Sequence, residues 1–412
     1  MKISSKILEG EVKAVPSKSY AHRALICAAL SQGVSTIYFD KTSEDIEATI
    51  SCLEELGASV KRYLNRVEIR GITLGEFPKI NVRESGSTFR FLLPISTVLY
   101  ESIEFIGEGR LPDRPIAELI EVLKANGVEF DRDRLPFRTH GKFKAGKYEL
   151  VGNVSSQYIS GILMAASIMN EKSELKLTSS LESKNYVDMT LQVMKEFGAK
   201  VSFKDDVYKI LPTGYKSRKY RVEGDWSNAA FFLVAGALGG KISMSDLNVE
   251  SLQGDRKILD ILRDFGAEVE MGNRVTIEPK FRKNIEVDLK DVPDLLPILS
   301  VLATSVNGGV SKFYNGGRLR LKESDRLSST AEMIRNLGGK VEERESELLV
   351  YGTSGLSGGE VDSYNDHRIA MASSIASIIS GGEIYLSGAS AVNKSYPKFY
   401  EDFKKLGGEY EL

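Results

Sequence analysis

The chain has 412 residues, 42% hydrophobic and 27% charged, which is enough for two or three domains with substantial cores and excludes a disordered protein. Its 55 basic and 57 acidic residues leave a net charge of −2, so no whole-protein field marks it for nucleic acid or a membrane surface. Any anion site must be built locally.

Taken from the N-terminus, no signal-type apolar run opens the chain, and the longest apolar stretch, Ala229 to Leu238, is too short for a membrane span, which predicts a cytoplasmic protein. Cys27 and Cys52 both fall in helical patterns, too few and too irregular for a disulfide framework or metal site, and are expected as reduced core residues. A series of helices apolar around most of their circumference is predicted at 21–30, 89–96, 159–167, 229–238, 295–303 and 369–379. After each comes a helix with one charged face that ends at glycine and enters a strand. The six glycines, Gly57, Gly127, Gly198, Gly266, Gly338 and Gly407, lie 70, 71, 68, 72 and 69 residues apart. Glycine is the residue expected just past a helix end in the left-handed conformation, so one structural event recurs six times. Strand-like segments such as 67–70 and 383–386 complete each unit.

The sixth unit ends without the strands that follow the others, and residues 2–12 are expected to supply them. This groups residues 1–14 with 225–412 in one domain and leaves 15–224 as the other, 202 and 210 residues of three units each. The predicted fold class is α/β (α+β), two similar domains of three repeated helix-and-sheet units around buried helices, with the active site in the cleft between them.

Polar residues that do not suit a purely structural role gather at helix starts. Before the buried helices stand Lys18, Ser19, His22 and Arg23; Glu84, Gly86 and Arg90; Ser155, Ser156 and Gln157; Asp225 and Ser227; Asp294; and Asp366, His367 and Arg368. Before the amphipathic helices stand Arg114, Ser183, Lys322 with Glu323, and Lys394. Ser155, Asp225 and Asp366 are each explained as ordinary N-caps. Lys18, Arg23, Arg90 and Arg368 are not, because cations in the first turns of buried helices oppose the helix dipole and cost stability unless paired. The stretch 318–326 is read as opening an amphipathic helix, with Glu323 and Asp325 suited to its first turn and Lys322 and Arg326 opposed to it. An anion held among such N–H groups and cations reconciles the pattern.

Together, Pro-Ser-Lys18-Ser19-x-x-His-Arg23, Gly86-Ser-x-x-Arg90, Arg114-Pro, Ser155-Ser156-Gln157, Pro-Asp294, Lys322-Glu323-Ser-Asp-Arg326, Asp366-His-Arg368 and Lys394-Ser-x-Pro resemble the 5-enolpyruvylshikimate-3-phosphate synthases, in order and over nearly the whole chain. The resemblance implies the enolpyruvyl transferase fold, an inverse α/β barrel; for the oligomeric state a monomer is the default expectation. The resemblance also implies two domains that close over shikimate 3-phosphate and phosphoenolpyruvate without metal or other cofactor. It assigns shikimate 3-phosphate to Lys18, Ser19, Arg23, Ser155, Ser156, Gln157, Ser183, Asp294 and Lys322. Phosphoenolpyruvate is assigned to Lys18, Gly86, Arg114, Gln157, Arg326, Arg368 and Lys394. Asp294 is the implied proton acceptor, Glu323 the proton donor, and Lys18 a further catalytic group. Glu84 departs from the family's usual Asn, placing an acid beside an expected anion site. The run Gly316-Gly317-Arg318 also departs, and no contact is carried over to it.

Two rivals are distinguishable. The sister enzymes that transfer enolpyruvyl to UDP-N-acetylglucosamine are expected to carry a reactive loop cysteine and Lys-Asn in place of Lys18-Ser19. A non-enzymatic ring around nucleic acid needs a basic lumen and no paired acid and base.

Overall fold

The structure is a computed structural model that describes residues 1–4 and 7–411. Residues 5, 6 and 412, which the predicted N-terminal strands and the domain assignment include, lie outside the described residues. The chain forms two compact units, Pro16–Val222 and Met1–Val15 with Glu223–Leu412, each with its own hydrophobic core.

The unit from Pro16 to Val222 contains helices α1 (Lys18–Ala29), α2 (Glu44–Glu55), α3 (Gly86–Leu99), α4 (Ala117–Ala125), α5 (Ser156–Ala166) and α6 (Lys184–Glu196). Helices α1, α3 and α5 are buried nearly all round, whereas α2, α4 and α6 bury only one face. The same alternation gives the second unit buried α7 (Trp226–Gly239), α9 (Leu296–Thr304) and α11 (His367–Ala376), and amphipathic α8 (Ile258–Phe265), α10 (Arg326–Asn336) and α12 (Phe399–Lys405).

Three four-stranded sheets belong to each unit, and all six share one pattern: an edge strand parallel to its neighbour, then two antiparallel pairings. Residues alternate along the central strands, as in Ser102–Ile106, where Ile103 and Phe105 are buried, so each sheet lays one face on the helices. The parallel edge strand beside Val34–Tyr38 is Lys219–Arg221, from the far end of its unit. In the other unit the N-terminal segment serves two sheets. Lys2–Ser4 pairs with both Ile384–Ser387 and Glu409–Glu411, and Gly10–Lys13 runs parallel to Ile242–Ser245.

The recurring glycines explain the repeat physically. All six have positive φ, from 83° at Gly338 to 106° at Gly266, and each lies just past an amphipathic helix. Of the buried helices, all but α9 begin with side-chain caps: Ser17, Ser85, Ser155, Asp225 and Asp366 accept from the amides of Tyr20, Thr88, Gln157, Asn228 and Arg368. Cys27 and Cys52 are buried and unpaired with each other, and burial pushes the Cys52 thiol up to about 12. No helix among the described residues is long and apolar enough to cross a membrane.

One close approach fixes α3 against α5. Pro94 lies inside α3 and has no N–H for the carbonyl of Arg90 four residues earlier. Gly161 of α5 fills that place so tightly that an added Cβ would fall 2.4 Å from the Arg90 carbonyl oxygen. Backbone cannot yield as a side-chain tip can, so Gly161→Ala is expected to destabilise the Pro16–Val222 unit by about 1–3 kcal/mol. An unchanged urea midpoint for that unit would show the contact to be slack.

Candidate active site

In the unit formed by Met1–Val15 and Glu223–Leu412, Arg326 is the first residue of α10 and only 2% exposed. Its Nε donates to Asp366 Oδ2 at 2.9 Å, Nη2 to Asp366 Oδ1 at 3.2 Å, and Nη1 to Asp294 Oδ1 at 2.7 Å. Asp366 also accepts from the Ser324 hydroxyl at 3.1 Å and caps α11 at the Arg368 amide at 2.9 Å. Arg368 Nη2 reaches Asp294 Oδ2 at 3.1 Å, and Lys322 Nζ stands 3.7 Å from Asp294 Oδ1. Burial opposes ionisation of Asp294, but Arg368, Lys322 and Arg326 outweigh it and hold the carboxyl well below its ordinary range. Burial likewise opposes the charge on Asp366, and Arg326 reverses the balance.

Glu323 Oε2 lies 2.8 Å from Nδ1 of His367, the first residue of α11. Lys394 is buried and donates to the Asn365 carbonyl at 2.7 Å, directly before Asp366. The amphipathic helix expected to open within 318–326 begins only at the end of that stretch. Residues Gly317–Leu321 make a 3₁₀ turn, Lys322 is extended, and α10 starts at Arg326 with Asp325 as its cap. Glu323 therefore lies outside the first turn, in a connection whose side chains turn toward α9 and α11. The charges that oppose the dipole of α10 are reconciled by Asp294 and Asp366, not by the helix itself.

The Pro16–Val222 unit arranges its cations differently. Arg23 donates through Nε to Thr190 Oγ1 at 2.7 Å, and through Nη1 and Nη2 to the carbonyls of Ser19 and Tyr186 at 2.7 and 2.9 Å. It also lies over the Phe91 ring. Arg90 donates to Gln157 Oε1 at 2.8 Å and to the Pro115 carbonyl at 3.0 Å. Burial lowers the pKa of both guanidiniums, that of Arg23 to about 10. Gln157 Nε2 donates to Ser87 Oγ at 2.8 Å, so one side chain ties the first turns of α3 and α5.

A Cβ at Gly86 would fall 2.6 Å from Arg114 Nη1 and 3.0 Å from Arg90 Nη1. Glycine thus lets two guanidiniums lie over the first turn of α3, where amide N–H groups already favour an anion. Ser155 caps α5, with Ser156 as its first residue, and Ser183 caps α6 in the left-handed conformation at φ 52°. The Ser183 carbonyl accepts from the amide of Tyr186, whose own carbonyl holds Arg23. Lys18 pairs with Asp45 at 2.7 Å. The Glu84 carboxylate is packed against Gly109, where an added Cβ would fall 2.4 Å from Oε1.

Residues 3–403 match the family described as EPSP synthase (3-phosphoshikimate 1-carboxyvinyltransferase). The chain belongs to the EPSP synthase family. It is 42% identical to the 3-phosphoshikimate 1-carboxyvinyltransferase of Clostridium kluyveri, covering 98% of this chain and 96% of that one. To that of Clostridium novyi it is 41% identical, covering 99% and 97%. In structure it is similar to EPSP synthase from Acinetobacter baumannii, with a TM-score of 0.82 at 21% identity, covering 100% and 99%. It is also similar to the enolpyruvyl transferase NikO from Streptomyces tendae, with a TM-score of 0.79 at 16% identity, covering 99% and 97%. These likenesses show the enolpyruvyl transferase fold.

The structure brings into prominence two residues that the sequence reading passes over, Asp45 and Asp255, and gives a third, His367, its partner. Asp45 pairs Lys18 from a first turn in which acids are ordinary. His367 holds Glu323, which no spacing within the sequence reveals. Asp255 sits in the 3₁₀ turn Gly254–Lys257, fully buried, and accepts a hydrogen bond from the Ser227 hydroxyl at the start of α7.

Burial and the nearby Asp294 carboxylate push the Asp255 pKa up to about 7, with Asp225 adding to the rise and Arg368 and Ser227 opposing it. A raised carboxyl pKa means that the native state holds a proton the unfolded chain has lost. Stability therefore falls as pH climbs from about 4 to about 7. Asp255→Asn keeps an acceptor for Ser227 and cannot titrate. It is expected to gain at least about 1 kcal/mol on the wild type between pH 5 and pH 8. Parallel urea-midpoint curves for the two proteins across that range would refute a proton held by native Asp255.

Proposed function

We propose that the chain transfers the enolpyruvyl group of phosphoenolpyruvate to the 5-hydroxyl of shikimate 3-phosphate, releasing phosphate, as a monomer in the cytoplasm and as a step of aromatic amino acid biosynthesis. Lys18, Ser19, Arg23, Ser155, Ser156, Gln157 and Ser183 hold shikimate 3-phosphate, with Asp294 and Lys322 reaching the same substrate. Phosphoenolpyruvate is held by Lys18, Gly86, Arg114, Gln157, Arg326, Arg368 and Lys394. Each substrate carries a phosphate and a carboxylate, and the inventory of guanidiniums, ammoniums and helix starts matches that chemistry.

The observation that carries the reading is the pair Asp294 and Glu323, two carboxyl groups in contrasting settings. Asp294 is kept ionised by three cations, so it stands in the form that accepts a proton. Glu323 is hydrogen-bonded to an imidazole nitrogen. In the addition step the substrate hydroxyl gives its proton to Asp294 as its oxygen bonds to the enol carbon. Glu323 gives a proton to the methylene carbon, which becomes a methyl group. In the elimination step a methyl proton returns to Glu323, the double bond re-forms, the C–O bond to phosphate breaks, and the proton held by Asp294 passes to the departing phosphate. Arg326, Arg368 and Lys394 stabilise the departing charge, and Lys18 supplies a further cation.

Glu323→Gln keeps the shape and removes the transferable proton. It is expected to lower kcat by about 10²- to 10⁴-fold, with much smaller changes in substrate Kd, and to abolish solvent deuterium exchange into the phosphoenolpyruvate methylene. Near-wild-type turnover and exchange would pass the donor role to Lys18 or Lys394. Arg23→Ala is expected to act mainly through weaker shikimate 3-phosphate binding.

Among the described residues, oxygen or nitrogen atoms of Glu323, Asp366 and His367 lie within 4.8 Å of one another, a spacing compatible with a cation. Arg326 already occupies both oxygens of Asp366, and a metal there would face a buried guanidinium. Activity is therefore expected to survive exhaustive chelation. Loss of activity that one divalent ion restores would overturn this account of the cluster.

A further inference from the structure

Four buried side chains in the Pro16–Val222 unit form an unbroken line that the reaction does not account for. His22 Nδ1 lies 2.7 Å from Thr49 Oγ1, Thr49 Oγ1 lies 2.6 Å from Thr88 Oγ1, and Thr88 Oγ1 donates to Ser85 Oγ at 2.7 Å. The line crosses three elements, from α1 through α2 to the cap of α3, and each member is at most 1% exposed. Ser85 Oγ also accepts from the Thr88 amide at 3.3 Å.

The protons in this line can be counted, because each hydroxyl has one to give. Thr88 spends its proton on Ser85, so its oxygen must accept from Thr49. Thr49 then has nothing left to donate to His22, so His22 must donate from Nδ1. The ring is held neutral: burial lowers its pKa to about 3, with Lys18 and Arg23 adding to the fall and Asp45 opposing it. A neutral ring with Nδ1–H carries its lone pair on Nε2, which is buried without a protein donor. At the other end Ser85 accepts twice from Thr88, which leaves its own proton to give.

That proton sits at the cap of α3, beside Gly86 and the guanidiniums of Arg90 and Arg114. We propose that His22 is a positioning residue which, through Thr49 and Thr88, fixes the Ser85 hydroxyl as a donor to the phosphoenolpyruvate anion at the first turn of α3. This rests on the assignment of phosphoenolpyruvate to Gly86 and Arg114. The line sets the direction of one hydrogen bond; it neither carries a proton through the reaction nor touches the reacting carbons.

Thr49→Val removes the donor from the middle of the line with little change in volume, and Thr49→Ser restores it. Thr49→Val is expected to raise the phosphoenolpyruvate KM about 10-fold, as for one lost hydrogen bond to an anion, with kcat and shikimate 3-phosphate Kd within about 2-fold. Thr49→Ser is expected to return KM to the wild-type value. Ser85→Ala should match Thr49→Val, and the double variant should be no worse than either, because both changes remove the same donor. Thr88→Val repeats the test at a second link should Thr49→Val fold poorly.

The substrate-free readout is nitrogen-15 NMR of His22, expected to show a protonated Nδ1, a bare Nε2 and no titration between pH 5 and pH 8. A protonated Nε2, a ring that titrates near 6.5, or additive effects of Thr49→Val and Ser85→Ala would each overturn the proposal. Wild-type protein that fails to bind phosphoenolpyruvate would overturn the functional assignment and this inference together. Normal wild-type turnover with an unchanged KM in Thr49→Val would overturn this inference alone.

Discussion

The burial of Arg326 is the constraint on which the acid-bearing half of the site depends. A guanidinium taken out of water costs several kcal/mol, and only well-placed partners repay it. Asp366 supplies two hydrogen bonds and Asp294 a third, so the cation cannot move without leaving a carboxylate buried alone. Asp366 is also the cap of α11, and Asp294 belongs to the turn that begins α9. One side chain from α10 therefore sets the positions of two other helix starts. The net gain in stability from such a cluster is small, but removing a single member is expected to cost about 3–5 kcal/mol.

Much of this architecture is legible in the sequence because it rests on local rules. A glycine just past a helix end has a conformational reason to be there, and all six recurring glycines take the left-handed backbone that reason requires. The apolar circumference of helices such as α7 has an equally local meaning, since a helix without a polar face must be buried. The start of α10 lies later than its charge pattern suggests for a complementary reason. Glu323 suits the dipole of its own helix and Lys322 and Arg326 oppose it, yet all three find partners on other elements. Asp45, Asp255 and the partner of His367 escape notice for the same cause, because their meaning comes from residues 27 to 44 positions away.

Both units begin helices with cations, yet the cations are compensated in opposite ways. Arg326 lies between carboxylates, and although burial works against its charge, Asp366 and Asp294 raise its pKa. Arg23 and Arg90 are held by a threonine hydroxyl, a glutamine and backbone carbonyls, and burial lowers both. Neutral acceptors fix a guanidinium in place without cancelling its charge. Lys18 departs from this in being paired with Asp45.

This difference divides the work between ground-state binding and proton handling. Arg23 and Arg90 keep positive charge available to an incoming anion, and the desolvation cost of burying them has already been met in folding. They are therefore suited to holding phosphate and carboxylate groups tightly. Around Arg326 the positive charge is largely committed to Asp294 and Asp366, so it contributes less to attraction at long range. What it provides is a fixed, ionised Asp294 whose basicity depends on the cations beside it. When an anion takes a share of Arg368 or Lys322, the field holding Asp294 ionised weakens and its affinity for a proton rises. Under the proposed function, substrate binding thus makes Asp294 a better base.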